Sequence, residues 1–375
     1  MHTAIVSDLH LGSAFGQDVL RRAEIRQALL DEIAAADRVV LLGDVVELRE
    51  RPLGVALAAA RPFFEDLGET LGDRAQVILV PGNHDHRLAE PLLDELSLSG
   101  RRALGLEQRG DPSPGPVALI DRWLGGPNLE LAYPGLWLRD DVYATHGHYM
   151  DCHLSLPRAE CLAAAAVMRA SGPLPDPASP EDYERVLRPL YGFAFGLAQS
   201  RASGVARQAG RTSEFAWELV SGNGDGGLGW RVKSGTARTG AAAAIWGVNR
   251  LLRSGFAPHI SGGAISRSGV AGATEMARRL ALDAAHVITG HTHRGGPQEG
   301  EQDWRLPGGG RLHNTGSWVF ASAFHHPGAP PGPYWPGTVT WIEDDGPPRR
   351  VQLLGECSRE ELASTVADLN RATLR

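Results

Sequence analysis

Short apolar runs alternate with polar punctuation over the first 150 residues. Thr3-Ala4-Ile5-Val6, Val39-Val40-Leu41-Leu42, Val77-Ile78-Leu79-Val80 and Val142-Tyr143-Ala144-Thr145 each read as a short buried strand, being too short for helices and rich in β-branched residues. Between the first three, Ile25, Leu29, Leu30 and Ile33 share one helical face, and Leu57 to Leu71 reads as a second helix. This strand–helix alternation predicts an α/β fold with an at least partly parallel sheet. Residues 100–128, rich in Gly and Pro, read as a loop. From about 150 to 280 helical patterns take over, as at Arg158 to Arg169 and Tyr183 to Ser200, with Pro-rich (172–180) and Gly-rich (222–240) linkers between them. Strand-like segments return at Ala285 to Thr289, Arg311 to Thr315, Trp318 to Ala321, Thr338 to Ile342 and Val351 to Leu354. Ser358 and Glu361 have capping-box spacing before a final helix carrying Leu362, Val366 and Leu369. The expected organisation is a sheet domain over 1–150 and 281–355, a mainly helical insertion over 151–280, and a C-terminal helix over 356–375.

The strand ends carry the chemistry. Ligands of such sheets sit outside the carboxyl ends of the strands, and there the chain places Asp8 and His10, then Asp44, then Asn83-His84-Asp85, then His146, then His291 and His293. Asp8 and His10, two residues apart, share a face if the backbone is extended. A carboxylate such as Asp44 has two oxygens and can bridge two cations, and Asn83 offers a neutral oxygen. Imidazole mixed with carboxylate suits Mn, Fe, Zn or Ni better than Ca or Mg. Two such ions can clamp a phosphoryl group and activate a water. His84 is placed to protonate a leaving oxygen, with Asp85 to orient it. Arg87 and His148 are candidates to touch the substrate, whereas Asp151-Cys152-His153 reads as the entry to the insertion. The aromatic residues Tyr191, Phe193, Phe195, Trp217, Trp230 and Trp246 read as insertion core.

These residues carry a family resemblance. Ser7-Asp8-Leu9-His10, Gly43-Asp44-Val45-Val46-Glu47, Gly82-Asn83-His84-Asp85, His146-Gly147-His148 and Gly290-His291-Thr292-His293 resemble the five motifs of the calcineurin-like metallophosphoesterases. The resemblance covers the sheet domain and not the helical insertion, and implies a four-layer αββα sandwich with a di-metal centre at its top; Mn²⁺ is the ion expected foremost. It also implies a partition: Asp8, His10, Asp44 and His293 on one ion, and Asp44, Asn83, His146 and His291 on the other, with His84 as the catalytic histidine. The second motif often ends in Asp, where this chain has Glu47, outside the implied ligand set. Gly-Asp-x-x-Glu and His-Gly-x also resemble the UDP-2,3-diacylglucosamine hydrolase branch, which typically has Arg at the position of His84.

Charge and composition narrow the function. The net charge is −7, and Lys233 is the only lysine. A nucleic-acid binder usually shows a basic domain or stripe, so nucleic acid is disfavoured as a partner, and with it the nuclease alternative. A non-catalytic scaffold would have lost ligands or the histidine, and this chain keeps them. The substrate expected is a small or lipid-linked phosphoester or phosphoanhydride. Cys152, Cys161 and Cys357 are odd in number and lack CxxC spacing, which points to a reducing cytoplasm. No leader pattern opens the chain, and no apolar stretch reaches transmembrane length. At most a peripheral membrane contact is expected, and the oligomeric state is left open.

Overall fold

A computed structural model describes residues 1–100, 103–112, 115–200, 245–252, 254–257, 262–325 and 331–373. Trp217, Trp230 and the Gly-rich stretch 222–240 lie outside the described residues. The strands are β1 (Thr3–Val6), β2 (Arg38–Leu42), β3 (Gln76–Val80), β4 (Glu107–Gly110), β5 (Asn128–Arg139), β6 (Val142–Thr145), β7 (His286–Thr289), β8 (Arg311–Asn314), β9 (Thr338–Ile342) and β10 (Arg349–Gln352). They hydrogen-bond in the order β10-β9-β1-β2-β3-β5-β6-β7-β8, with β4 on β5. Strands β1, β2, β3 and the first half of β5 run parallel, as do β6, β7 and β8. The antiparallel pairs are β9 with β1 and β10, and β5 with β4 and β6.

The 12-residue β5 joins two sheets. Its Asn128–Leu131 half pairs with β3, and its Gly135–Arg139 half pairs with β6. Side chains alternate across each strand, and the three apolar clusters divide by that alternation. Ala4, Val6, Val39, Leu41, Val77 and Leu79 face one helical layer, which includes α1 (Ala23–Ile33), α2 (Leu53–Leu71), α3 (Glu90–Leu98) and α4 (Pro116–Leu124). Ile5, Val40, Leu42, Ile78 and Val80 meet Leu136, Val142, Ala144 and Ile288 between the sheets. Val287 and Leu312 face the other way, into a cluster with Ala164 of α5 (Ala159–Ser171), Leu187 of α6 (Pro180–Gln199) and Met276 of the helix Gly262–Arg279. The layers are therefore helix, sheet, sheet, helix. The described helices of the 151–280 segment share a core with β7 and β8 instead of packing on themselves alone.

Some expectations need correction. Residues 100–128 are not only a loop: β4 and α4 lie within them, and β5 begins at their end. Gly and Pro hid α4 because they stand where helices tolerate them. Pro116 is the first helical residue and Gly125 is a left-handed C-cap. Trp318 to Ala321 forms no strand, only an isolated bridge from Val319 to Asp18. Phe193 and Trp246 are 74% and 68% exposed, so they are not core, whereas Tyr191 is buried. The capping box forms as its spacing predicts: Ser358 N–H donates to Glu361 and Glu361 N–H donates to Ser358 Oγ. No helix among the described residues is long and apolar enough to cross a membrane.

Candidate metal centre

All seven expected ligands lie just beyond strand ends, on turns. Asp8 and His10 follow β1, Asp44 follows β2, Asn83 follows β3, His146 follows β6, and His291 and His293 follow β7. The extended geometry expected for Asp8 and His10 does not hold. Their φ angles are +53° and +45°, in the left-handed region. Asp44, His291 and His293 share it, at +51°, +66° and +58°. Among the described residues only one other non-glycine residue, Ala281, has a positive φ. Each such residue costs roughly 1–3 kcal/mol and persists only where its surroundings enforce it. Strain gathered this way on the candidate ligands, five of the six such residues described, supports a functional site.

Two motif glycines are explained by close approach. A Cβ on Gly82 would stand 2.4 Å from Asp44 Oδ1 and 2.6 Å from the His146 ring. A Cβ on Gly43 would stand 2.3 Å from that ring, and Gly43 also has φ +82°. Any side chain there would displace the ligands.

Asn83 Oδ1 lies 3.0 Å from His291 Nδ1, 3.3 Å from His146 Nε2 and 3.2 Å from Asp44 Oδ2. His146 Nε2 and Asp44 Oδ2 are themselves 3.2 Å apart. The other imidazole nitrogens are committed elsewhere: His146 Nδ1 to the Leu42 carbonyl (2.9 Å) and His291 Nε2 to Asp151 Oδ1 (2.8 Å). Four acceptor atoms thus converge on one point. Atoms bound ~2.1 Å from one transition metal lie roughly 3.0–3.4 Å apart, so the donor set fits a cation. Turning the Asn83 amide over would pair these atoms without an ion; the carbonyl-inward orientation is the one a cation requires.

A second convergence lies beside it. His293 Nε2 is 3.3 Å from Asp8 Oδ1 and 3.2 Å from His10 Nε2, which is 3.7 Å from Asp44 Oδ2. Asp8, His10 and His293 thus form one group able to hold an ion, and Asp44, His146 and His291 form another. Asp44 Oδ2 stands between the two. Burial would raise the Asp44 carboxyl, yet His146 and His84 hold it well below its ordinary value. Burial would lower His146, yet Asp44 raises it to about 9. In the metal-free protein, protons balance these carboxylates, and cations compete for the same atoms.

The expectation that Asp85 orients His84 is not met. The Asp85 carboxylate accepts from the backbone N–H groups of Gly82 (2.6 Å) and Val45 (2.7 Å), tying the β3 turn to the β2 turn. Glu47 Oε2 holds the His84 ring instead, 2.6 Å from Nδ1, and also takes His10 Nδ1 at 2.9 Å. His148 does not reach the cleft. It is 1% exposed, stacked on Tyr133, with Nε2 3.1 Å from the Tyr133 hydroxyl. Arg87 is exposed, with its guanidinium over the Phe195 ring, 5.7 Å from the centroid, and it does not line the cleft.

Sequence reasoning missed three features. Asp151, read as a mere entry to the helical segment, is the carboxylate that fixes His291. Carboxylate partners of ligating histidines typically contribute 10–100-fold to metal affinity, so Asp151→Ala is expected to weaken metal binding by about that factor. Titration of the apoprotein with Mn²⁺ measures it, and an unchanged affinity would remove Asp151 from the site. Glu184 of α6 is buried and accepts from His86 Nε2 (3.0 Å) and the Tyr149 hydroxyl (2.7 Å). It anchors α6 beneath the cleft. Arg49 and Arg158 line the cleft itself, beside the ligands. The cleft has a volume of about 540 Å³. His10, Asp44, Asn83, His84, His291 and His293 lie on one side, and Leu190, Phe193 and Leu197 of α6 on another.

No curated protein matches the chain. Residues 1–163 match the model of the calcineurin-like phosphoesterases. The match takes in Asp8, His10, Asp44, Asn83, His84 and His146. It ends before His291 and His293, which the fold returns to the same site through β7. The five motifs' resemblance and the family model thus agree over residues 1–163 on similarity to the calcineurin-like phosphoesterases, and the groups that could hold a metal ion are completed by His291 and His293 beyond that match.

Proposed function

We propose that this chain hydrolyses a phosphoester or phosphoanhydride with two divalent transition-metal ions, Mn²⁺ foremost, with Fe, Zn or Ni also suited to the donors. The observation that carries the reading is the convergence of Asn83, His146, His291 and Asp44 acceptor atoms, with Asp8, His10 and His293 alongside. When bound, such ions supply a hydroxide near neutral pH and charge stabilisation for the phosphoryl group. Asp44 serves both positions. Glu47 fixes the His84 ring through Nδ1, leaving Nε2 to donate a proton to the leaving oxygen. His84 stays partly open to the cleft, 24% exposed in its side chain, as such a donor must.

The α6 face, Leu190, Phe193 and Leu197, supports a substrate whose leaving group has an apolar part. The helical segment 151–280 then acts as a cap that selects it. Free Cys152, Cys161 and Cys357 favour a reducing compartment, the cytoplasm.

Protein purified without chelator and reloaded with Mn²⁺ is expected to hold two ions per chain and to cleave nitrophenyl phosphate. Chelation is expected to abolish that turnover. Elemental analysis with a parallel assay checks both, and a chain that takes up no ion refutes the reading.

A further inference from the structure

Metal ligands make one wall of the cleft, and two guanidinium groups stand at another. Arg49 follows the second motif by two residues and its side chain is 17% exposed. Its Nη2 is 2.8 Å from Glu160 Oε1, and its backbone N–H donates to Glu47 Oε1 at 2.9 Å. These contacts leave Nη1 turned toward the ligands, 2.9 Å from the Asn83 amide. With the Asn83 carbonyl on the metal side, its NH2 group faces Arg49 Nη1. Two donors then confront each other at the floor of the cleft, an arrangement that an anionic oxygen accepting from both would relieve. Arg158, the N-cap residue of α5, lines the same cleft. Its guanidinium makes no hydrogen bond and no ion pair among the described residues, and Glu160 and Asp151 act on it only at longer range. A guanidinium with its hydrogen-bond donors unused beside a candidate metal centre is placed to take an anion.

We propose that Arg49 and Arg158 form an anion clamp that selects a terminal, doubly charged phosphoryl group over a phosphodiester. The inference rests on the hydrolase reading and deepens it. A monoester or terminal anhydride phosphate has three non-bridging oxygens and a charge near −2. A diester has two such oxygens and a charge of −1. Two ions can engage two non-bridging oxygens, so only the terminal phosphoryl group keeps a third for guanidinium donors. Arg suits this role because its planar fork presents several donors at once. Glu160 is the positioning residue: by taking Nη2 it fixes where Nη1 points. Glu160 and Arg158 both belong to the start of α5, so the helical segment completes the clamp that the β2 turn begins.

The test uses the full chain reloaded with Mn²⁺, with nitrophenyl phosphate and bis(nitrophenyl) phosphate as substrates. The wild type is expected to favour the monoester. Arg49→Gln and Arg158→Gln are expected each to lower monoester kcat/KM roughly 10–100-fold, the range of one charge-assisted hydrogen bond. Diester kcat/KM should fall much less. Arg49→Lys is expected to recover part of the monoester rate. Inorganic phosphate binding, read by calorimetry without turnover, is expected to weaken in the two Gln variants by a similar factor. Equal losses on both esters, a wild-type preference for the diester, or unchanged phosphate binding would each overturn the clamp. A loaded protein that cleaves neither ester defeats the hydrolase reading, while the phosphate titration still decides whether the two arginines bind an anion.

Discussion

Asp44→Ala protein is expected to carry no metal at either position and to lose at least ~10³-fold in turnover, since metal ions contribute several kcal/mol to such reactions. The reason lies in one oxygen. Asp44 Oδ2 is 3.2 Å from His146 Nε2 on one side and 3.7 Å from His10 Nε2 on the other. Asp44 thus presents one carboxylate oxygen to a ring nitrogen of each group. Asp44 Oδ1 also accepts the backbone N–H of His84 at 2.7 Å, so the substitution loosens the turn that carries Asn83 and His84. Two alternatives predict different metal contents. If Asp44 served one position only, the variant would retain one ion. If Asp44 only organised the turn, both ions would remain at reduced affinity. Elemental analysis after Mn²⁺ reloading separates these outcomes, with circular dichroism to show that the variant is folded. Two ions retained at wild-type affinity would end the claim that Asp44 bridges.

The convergence of the candidate ligands was legible in the sequence because each sits at a strand end, next to a glycine or another motif residue, and strand ends converge in an αββα sandwich. Alternation within Ile5, Val40 and Ile78 against Ala4, Val39 and Val77 sorts side chains between the two cores, but the sequence shows only unbroken apolar runs. What joins the two sheets, β5, was not legible. Its residues Asn128 to Arg139 contain Pro134 and Gly135 in mid-strand, both of which argue against a strand locally. Strand β5 changes partners at that point, from β3 to β6, while Pro134 itself stays paired with Glu107 of the short β4. The supporting residues were hidden for a different reason. Asp151 meets His291 across 140 positions and Glu160 meets Arg49 across 111. No local pattern marks such pairs, because only the packing of α5 and of the short turn before it against the strand ends brings them together. Asp85 shows the converse error. Adjacency to His84 suggested contact, yet the turn points the carboxylate back at the amides of Gly82 and Val45, where it braces two motif loops.

His84→Ala is expected to keep both metal ions and to lose roughly 10²–10⁴-fold in kcat, the usual contribution of a positioned general acid. The size of the loss should depend on the leaving group. A nitrophenolate departs without a proton, so nitrophenyl phosphate should be affected least. An alkyl phosphate, whose alkoxide must be protonated, should be affected most. The structure also allows a competing role. His84, His10 and Asp44 form a third group close enough to hold an ion, and the His84 and His10 rings meet edge to face at 4.6 Å. Metal content decides between them, because a ligand's removal costs an ion and a proton donor's removal does not. Glu47→Gln sharpens the distinction. Glu47 Oε2 takes both His84 Nδ1 and His10 Nδ1, so a neutral amide there should loosen the hold on the His84 ring and weaken the ion expected at His10. A double variant, His84→Ala with Glu47→Gln, should then show the metal defect of Glu47→Gln with little further loss in kcat beyond His84→Ala alone. Equal losses across leaving groups in His84→Ala would instead make His84 a phosphate-positioning residue. A variant that keeps its ions and its full rate on the alkyl ester would remove His84 from the chemistry.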